Sequence, residues 1–120
     1  MSKNYDFEIE FFESVLKQDK KDPVIIEILA AFYTKMGRID DGLRMDRKLL
    51  RLQPDNPFAY YNLACSLALK HRWTDSVNAL RQAIQKGYDD FKWMQQDPDL
   101  SKLRQRPIFI KMLRELNISQ

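Results

Sequence analysis

One pattern of apolar and polar positions occurs twice in the chain, over residues 23–56 and again over residues 57–90, at an interval of 34 residues. Matching pairs include Pro23 and Pro57, Leu29 and Leu63, Ala30 and Ala64, and Asp41 and Asp75. A unit of this length cannot bury its own apolar face, so its copies must stack on one another. The repeat therefore predicts helical pairs packed side by side, with an extended surface suited to holding another protein.

The composition is that of a helical globular chain. Hydrophobic residues make up 44% of the 120 residues, which is enough for the core of one domain. Three glycines and five prolines are too few for a turn-rich β protein or a disordered chain. Residues 1–6 lack the apolar core of a signal peptide, and no apolar run is long enough to span a bilayer. We therefore expect a cytoplasmic location and no membrane insertion.

Apolar periodicity predicts helices over residues 5–18, 23–36, 39–52, 57–70 and 73–86. After residue 90 the 34-residue period fails, and short apolar turns lead to a last helix that opens at a proline, Pro107.

Turn residues separate these helices. Gly37 and Gly87 follow apolar runs and are suited to end helices, because glycine tolerates the left-handed conformation. Asn56 is placed to cap the helix that begins at Pro57. Gly37 follows the first helix of the first copy and Gly87 follows the second helix of the second copy, so these signals support the helix–turn–helix interpretation.

The two copies resemble the tetratricopeptide repeat. Along its first helix, that family has a bulky residue, a leucine next to a small residue, and another large residue. The corresponding residues are Ile26, Leu29, Ala30 and Tyr33 in the first copy and Tyr60, Leu63, Ala64 and Leu67 in the second. In the second helix, the family's early small residue is matched by Gly42 in the first copy and Ser76 in the second. Small residues allow two helices to cross closely.

The chain departs from the family pattern at several positions. Asp46 stands where a large residue is expected, Leu49 where alanine is expected, and Tyr88 where the second copy should have its closing proline. The segment from Gly87 to Phe109 resembles the closing segment of many bacterial tetratricopeptide proteins.

The resemblance implies an all-α solenoid, a right-handed superhelix of antiparallel helix pairs. We expect a single domain over residues 1–120, with an N-terminal half repeat (5–22), two full repeats (23–56 and 57–90) and degenerate capping helices (91–120). The closing segment favours a bacterial protein.

Members of this family mostly bind other proteins in a concave groove lined by the first helices, as adaptors, scaffolds or co-chaperones. The resemblance implies the following groove residues: Glu27, Ala31, Thr34, Phe58, Tyr61, Asn62, Cys65, Leu69 and Lys92. An apolar and aromatic groove suits a peptide or an amphipathic helix. Two alternatives stay open: a homodimer formed through the groove, and a groove covered by the N-terminal helix or the C-terminal segment of the same chain.

One branch of the family grips the C-terminal carboxylate of chaperones. Of the residues that this branch uses, the chain matches only Asn62 and Lys92, and Glu27 would repel a carboxylate. The sequence therefore argues against that activity.

No catalytic, cofactor or metal site is expected. His71, Asp75 and Ser76 are the residue types of a hydrolase triad, but Ser76 takes a buried repeat position and His71 falls in a turn. A single histidine and a single cysteine, Cys65, exclude the usual zinc sites, and we expect Cys65 to be a small buried hydrophobe. Asp97 and Asp99 lack the glycine and glutamate of a calcium loop.

The charge distribution makes nucleic acid one further class of partner to consider. The net charge is +3, and residues 101–114 carry basic side chains and no acidic one. Weak nucleic-acid binding through this segment is the further alternative. The aromatic residues, however, lie at core spacing, which argues against nucleic acid as the main partner.

Overall fold

The computed structural model describes residues 4–120, and over these residues the chain is helical without a strand. The helices are α1 (Asp6–Gln18), α2 (Pro23–Lys35), α3 (Ile39–Leu52), α4 (Pro57–Leu69), α5 (Trp73–Gln85), α6 (Phe91–Met94) and α7 (Pro107–Glu115). Two short 3-10 helices, Pro98–Leu100 and Leu103–Gln105, lie between α6 and α7 in sequence. The first five helices confirm the predicted bounds to within one residue at each end. No helix in the described residues is both long and apolar enough to cross a bilayer.

The chain divides into two compact units, and the division falls between Pro54 and Asp55. This point lies in the turn that the sequence predicts between the two copies. The first unit contains α1 to α3, and the second contains α4 to α7 with the two 3-10 helices. The single domain over residues 1–120 stays a prediction, as do the number and bounds of the repeats.

In the first unit, α2 packs against both α1 and α3. The helix begins where the Asp22 side chain accepts hydrogen bonds from the backbone N–H groups of Val24 (3.0 Å) and Ile25 (3.4 Å), with Pro23 in the first turn. Its buried face and those of its two neighbours meet in an apolar core. The core includes Ile9, Ile26, Leu29, Tyr33, Leu43 and Leu49.

The crossing of α2 and α3 is close because both helices have small residues there. A Cβ atom on Gly42 would lie 2.9 Å from Thr34 Oγ1 and 3.5 Å from the Ala30 carbonyl oxygen. Thr34 Oγ1 itself donates a hydrogen bond to that carbonyl oxygen at 2.9 Å. The small residues that the sequence places at the crossing, Ala30 and Gly42, are thus confirmed in this role.

The second unit repeats this arrangement in α4 and α5. Asn56 caps α4 by accepting a hydrogen bond from the Phe58 N–H at 2.9 Å. At the crossing, Ala64 and Ser76 are fully buried, and Ser76 Oγ donates to the Ala64 carbonyl oxygen at 2.6 Å. This hydrogen bond joins the two helices where their backbones approach.

The turns inside the two copies use the left-handed conformation at equivalent positions. Gly37 has a φ of 77°, and His71, which lies 34 residues later, has a φ of 60°. Glycine adopts this conformation without steric cost, whereas a side chain makes it less favourable. The His71 ring stacks on the Trp73 ring with centroids 4.9 Å apart, which helps to hold the turn.

Residues 91–120, here called the closing segment, complete the core of the second unit. Met94, Leu100, Leu103 and Met112 have no exposed surface, and Phe109 is nearly as buried. The first 3-10 helix packs against α4, and α7 packs against α5. The sequence predicts one short turn around Leu100 and Leu103, and the structure has a separate 3-10 helix at each of them.

Candidate functional site

The predicted binding residues of the first unit lie on α2, but they do not all face solvent. Glu27 and Ala31 are exposed and one helical turn apart. Thr34 is half-buried, and its hydroxyl is bonded to the Ala30 carbonyl oxygen beside Gly42. Thr34 therefore faces the crossing with α3, and its main role in the structure is packing.

Two predicted binding residues of the second unit, Tyr61 and Cys65, are covered by the closing segment. Only 5% of Tyr61 and 8% of Cys65 is exposed. The Tyr61 hydroxyl donates to Asp97 Oδ2 at 2.7 Å, and the Cys65 thiol donates to the same oxygen at 3.6 Å. A partner could reach these two side chains only if the first 3-10 helix moved away.

Three aromatic rings extend from this buried cluster toward the surface. The Tyr61 and Tyr88 rings stack with centroids 4.3 Å apart and planes 7° from parallel. Phe58 meets Tyr88 edge-on at 6.0 Å, and 58% of Phe58 is exposed. Offset and edge-on pairs are the favoured aromatic geometries. The Phe58 ring is thus partly exposed to solvent and also contacts the buried Tyr88 ring.

The cluster around Asp97 shifts the pKa values of its neighbours. Burial raises the pKa of the Tyr61 hydroxyl, with further contributions from Cys65 and from the hydrogen bond to Asp97. Burial, followed by the charge of Asp97, raises the pKa of the Cys65 thiol well above its usual value. Burial and Asp97 also raise the pKa of the Asp99 carboxyl. A thiol held in its protonated form is a poor nucleophile, so this arrangement does not suit catalysis.

Cys65, Asp97 and Asp99 are the described residues that come nearest to a metal-ligating group, with ligand atoms within 4.8 Å of one another. A sulfur and two carboxylates could hold a borderline cation. The protein, however, already supplies donors to Asp97: Oδ2 accepts from Tyr61 and Cys65, and Oδ1 accepts from the Asp99 N–H at 3.0 Å. These contacts account for the cluster as a polar contact between α4 and the closing segment.

The other predicted site residues lie at more open positions. Phe58, Asn62 and Leu69 follow one another along α4 at intervals that place them on one face, and Asn62 and Leu69 are half-exposed. Lys92 is exposed and lines a separate surface hollow of about 550 Å³. The other residues that line this hollow are Ile84, Phe91, Gln95, Leu116, Asn117, Ile118 and Ser119.

Val24 and Phe58 occupy equivalent positions, 34 residues apart, near the start of α2 and α4. They expose 63% and 58% of their surfaces. Each copy of the 34-residue pattern therefore presents an apolar side chain at the same place on its first helix. Both residues follow the capping side chain by two positions, and that sequence signal identifies them.

The residues of the discounted hydrolase triad do not assemble. His71 lies exposed in its turn, Asp75 pairs with Arg72 at 2.6 Å, and the Ser76 hydroxyl is bonded to the Ala64 carbonyl oxygen. The serine is buried and engaged, so it cannot attack a substrate.

Comparisons with known proteins agree with this fold. No family model matches the chain. A curated chloroplastic protein of Arabidopsis thaliana is 30% identical over 90 residues, which cover 72% of this chain and 27% of that protein. The crystal structure of MamA superposes with a TM-score of 0.69 at 20% identity and covers 92% of this chain and 66% of the MamA chain. The chain spans about a quarter of the length of the chloroplastic relative. The chloroplastic relative is a tetratricopeptide-type protein, and MamA is a helical repeat solenoid of the same type.

Proposed function

The chain has the helical-repeat solenoid fold of tetratricopeptide-type proteins, and from this premise we propose that it is a non-catalytic protein-binding module. The likeness to such proteins supports a role in protein interaction in general. The proposed partner is a peptide segment or an amphipathic helix, which binds to the exposed face of α4. An adaptor or scaffold role in the cytoplasm follows from this proposal.

The observation that carries the proposal is the exposed Phe58 ring on α4. Exposed aromatic side chains are typical anchors of protein interfaces. Phe58 is held by the edge-on contact with Tyr88, so little conformational entropy is lost when a partner covers it. Asn62 and Leu69 extend the same face and offer a polar and an apolar contact.

The proposed contact surface leaves out Tyr61 and Cys65, because both residues are buried. Their predicted contact with a partner would require the loss of the hydrogen bonds to Asp97 and of the packing of Leu100. We therefore base the proposal on Phe58, Asn62 and Leu69 of α4. On α2 of the first unit, Glu27 and Ala31 stay predicted contact residues. Lys92 belongs to a separate hollow and is tested separately.

The test is a quantitative affinity capture from cells of the source organism, with a Phe58→Ser variant compared with the wild type. A Phe7→Ser variant is the matched control, because Phe7 is also an exposed phenylalanine but lies on α1. We expect a partner that is retained by wild type and by Phe7→Ser and lost by Phe58→Ser, with all three proteins equally folded by circular dichroism. Equal capture by Phe58→Ser and wild type would overturn the assignment of the α4 face.

Homodimer formation through the same face is the second candidate. It is favoured by the exposed apolar ring of Phe58. In that case light scattering would show a dimer that Phe58→Ser converts to a monomer. Trp93→Ser, which changes an exposed aromatic residue on α6, should leave the dimer unchanged.

A further inference from the structure

The outward face of α1 carries two exposed phenylalanines among acidic side chains. Phe7 and Phe11 lie one helical turn apart and expose 78% and 55% of their surfaces. Ile9, on the opposite side of the helix, is 2% exposed and packs into the first unit. Asp6 and Glu10 are exposed and flank the phenylalanines. We call this surface the acidic aromatic face. Contiguous exposed apolar groups of this kind mark contact sites.

The outward face of α7 carries basic side chains next to apolar ones, which complements the acidic and apolar side chains of α1. Phe109, Met112 and Leu113 anchor α7 in the second unit. On the other side of the helix there is a surface hollow of about 520 Å³. The hollow is lined by Pro107, Ile108, Ile110, Lys111 and Arg114. We call this surface the basic hollow.

The charges of the basic hollow are available to a partner. The Lys111 side chain is 74% exposed, and its amino group is 3.8 Å from the Glu115 carboxylate, at the outer limit of an ion pair. Glu115 is in closer contact with Arg81, at 2.5 Å. Arg114 is exposed as well. The exposed rim of the hollow is therefore positive, with an apolar floor formed by the proline and isoleucine side chains.

We propose that the acidic aromatic face of one copy of this chain docks in the basic hollow of a second copy. Apolar rings on one surface meet an apolar hollow on the other, and acidic side chains meet basic ones. The occupant has to bring both apolar and acidic groups, and α1 of another copy supplies them on one helical face. Opposite charge at the rim also selects the partner surface, because two acidic aromatic faces or two basic hollows would repel each other.

The proposed contact joins two different surfaces of the molecule. When one such contact forms between two copies, one acidic aromatic face and one basic hollow are still unoccupied. Such a heterologous contact continues by adding copies head to tail until the chain of copies closes into a ring or stops at its ends. This association is independent of the proposed partner binding on α4, since it does not use that helix.

The test uses two variants of the full chain, each with one surface disabled. The first carries Phe7→Ser and Phe11→Ser, and the second carries Lys111→Glu and Arg114→Glu. All four side chains are exposed, so the fold should tolerate the changes. Matched controls are Trp93→Ser, an exposed aromatic residue on α6, and Lys102→Glu, an exposed basic residue outside α7. Circular dichroism and thermal unfolding check that each variant is folded.

Mass is then measured by light scattering over a range of concentrations. We expect the average mass of wild type and of both controls to rise with concentration, and each disabled variant alone to stay at 14.3 kDa. An equimolar mixture of the two disabled variants should stop at a heterodimer, because it retains one intact surface of each kind. Raising the salt from about 0.1 M to about 1 M shortens the Debye length from about 10 Å to about 3 Å and should weaken the association.

Several results would overturn the proposal. These are a wild type that stays monomeric at every concentration, a disabled variant that still associates, a mixture of disabled variants that stays monomeric, and association that salt does not weaken. If only the α1 variant loses association, the contact is between two α1 helices, and the head-to-tail arrangement is wrong.

Discussion

Ser76 on α5 donates its hydroxyl hydrogen to the carbonyl oxygen of Ala64 on α4 at 2.6 Å, and both residues are fully buried. The equivalent carbonyl in the first unit belongs to Ala30, and it accepts from Thr34 Oγ1 at 2.9 Å. Gly42 stands where Ser76 stands in the other copy, and Ala68 where Thr34 stands. At each crossing, one side-chain hydroxyl thus donates to the alanine carbonyl oxygen. In the first copy this hydroxyl is on the first helix, and in the second copy it is on the second helix.

This difference between the two copies leads to a prediction for the pair Gly42 and Thr34. A Cβ on Gly42 would lie 2.9 Å from Thr34 Oγ1, so Gly42→Ser alone should overpack the crossing and destabilise the protein by about 1–3 kcal/mol. Adding Thr34→Ala recreates the arrangement of the second unit and should recover most of the loss. Urea unfolding of the two single variants and the double variant gives the coupling energy.

The coupling should be favourable, on the order of 1 kcal/mol or more. A control pair that does not share a contact, Gly42→Ser with Ala31→Ser, should show simple additivity. Additive effects for Gly42→Ser and Thr34→Ala would mean that the two positions do not compete for the same space.

A second prediction concerns the size limit at Ala64. Its side chain is fully buried at the crossing, so Ala64→Leu should force the helices apart and cost about 1–3 kcal/mol. Ala31→Leu makes the same change at an exposed position of α2 and should be nearly neutral. Thermal unfolding of the two variants compares them directly, and an unaltered midpoint for Ala64→Leu would contradict the packing described.

The buried thiol of Cys65 provides a third prediction. Burial and Asp97 raise its pKa, and only 8% of the residue is exposed. A thiol reagent at pH 8 should therefore react far more slowly with the native protein than with the protein in denaturant. Asp97→Ala removes the acceptor of both Tyr61 and Cys65 and should speed the reaction by loosening the closing segment.

A control separates this effect from a general loss of stability. Asp89→Ala changes an exposed aspartate in the same unit and should leave the rate unchanged. Native reactivity equal to that of the unfolded chain would show that α4 is not covered by the closing segment in solution.

A fourth prediction follows from Tyr33 in the first unit. Burial and the hydrogen bond from its hydroxyl to Glu13 Oε2, at 2.6 Å, raise the pKa of Tyr33 from 10.0 to about 12. Since the ionised form is favoured in the unfolded chain, the Tyr33 contribution to stability is complete below pH 10 and declines as the pH rises toward 12.

The measurement compares wild type with Tyr33→Phe by urea unfolding at pH 8, 10 and 11. The difference in free energy of unfolding should be constant up to about the usual tyrosine pKa and should then shift in favour of Tyr33→Phe. A difference that does not change with pH would mean that the Tyr33 hydroxyl ionises as readily in the folded protein as in the unfolded one.

The sequence predicts the helices well because their signals are local. The cap at Asn56, the prolines Pro23 and Pro57, and the apolar spacing define α2 and α4 without reference to the rest of the chain. The small residues at the crossings are also predictable, because the 34-residue period marks them in both copies.

The candidate site is harder to predict because its exposure depends on a distant contact. Tyr61 and Cys65 lie at positions that the resemblance assigns to an open groove, yet Asp97, which follows Tyr61 by 36 residues, covers them. The departure at Tyr88 points to this arrangement, since the ring that replaces the closing proline stacks on Tyr61. No local pattern around Tyr61 contains that information.

Asp97 connects α4 to the rest of the second unit in two ways. Its side chain binds Tyr61 and Cys65, and its backbone carbonyl oxygen accepts a hydrogen bond from Arg104 Nη1 at 2.6 Å. Residues 57–90 are therefore not an interchangeable building block. Grafted into an array of repeats without the closing segment, they would uncover the Tyr61 and Tyr88 rings and need a neighbouring repeat shaped to cover them.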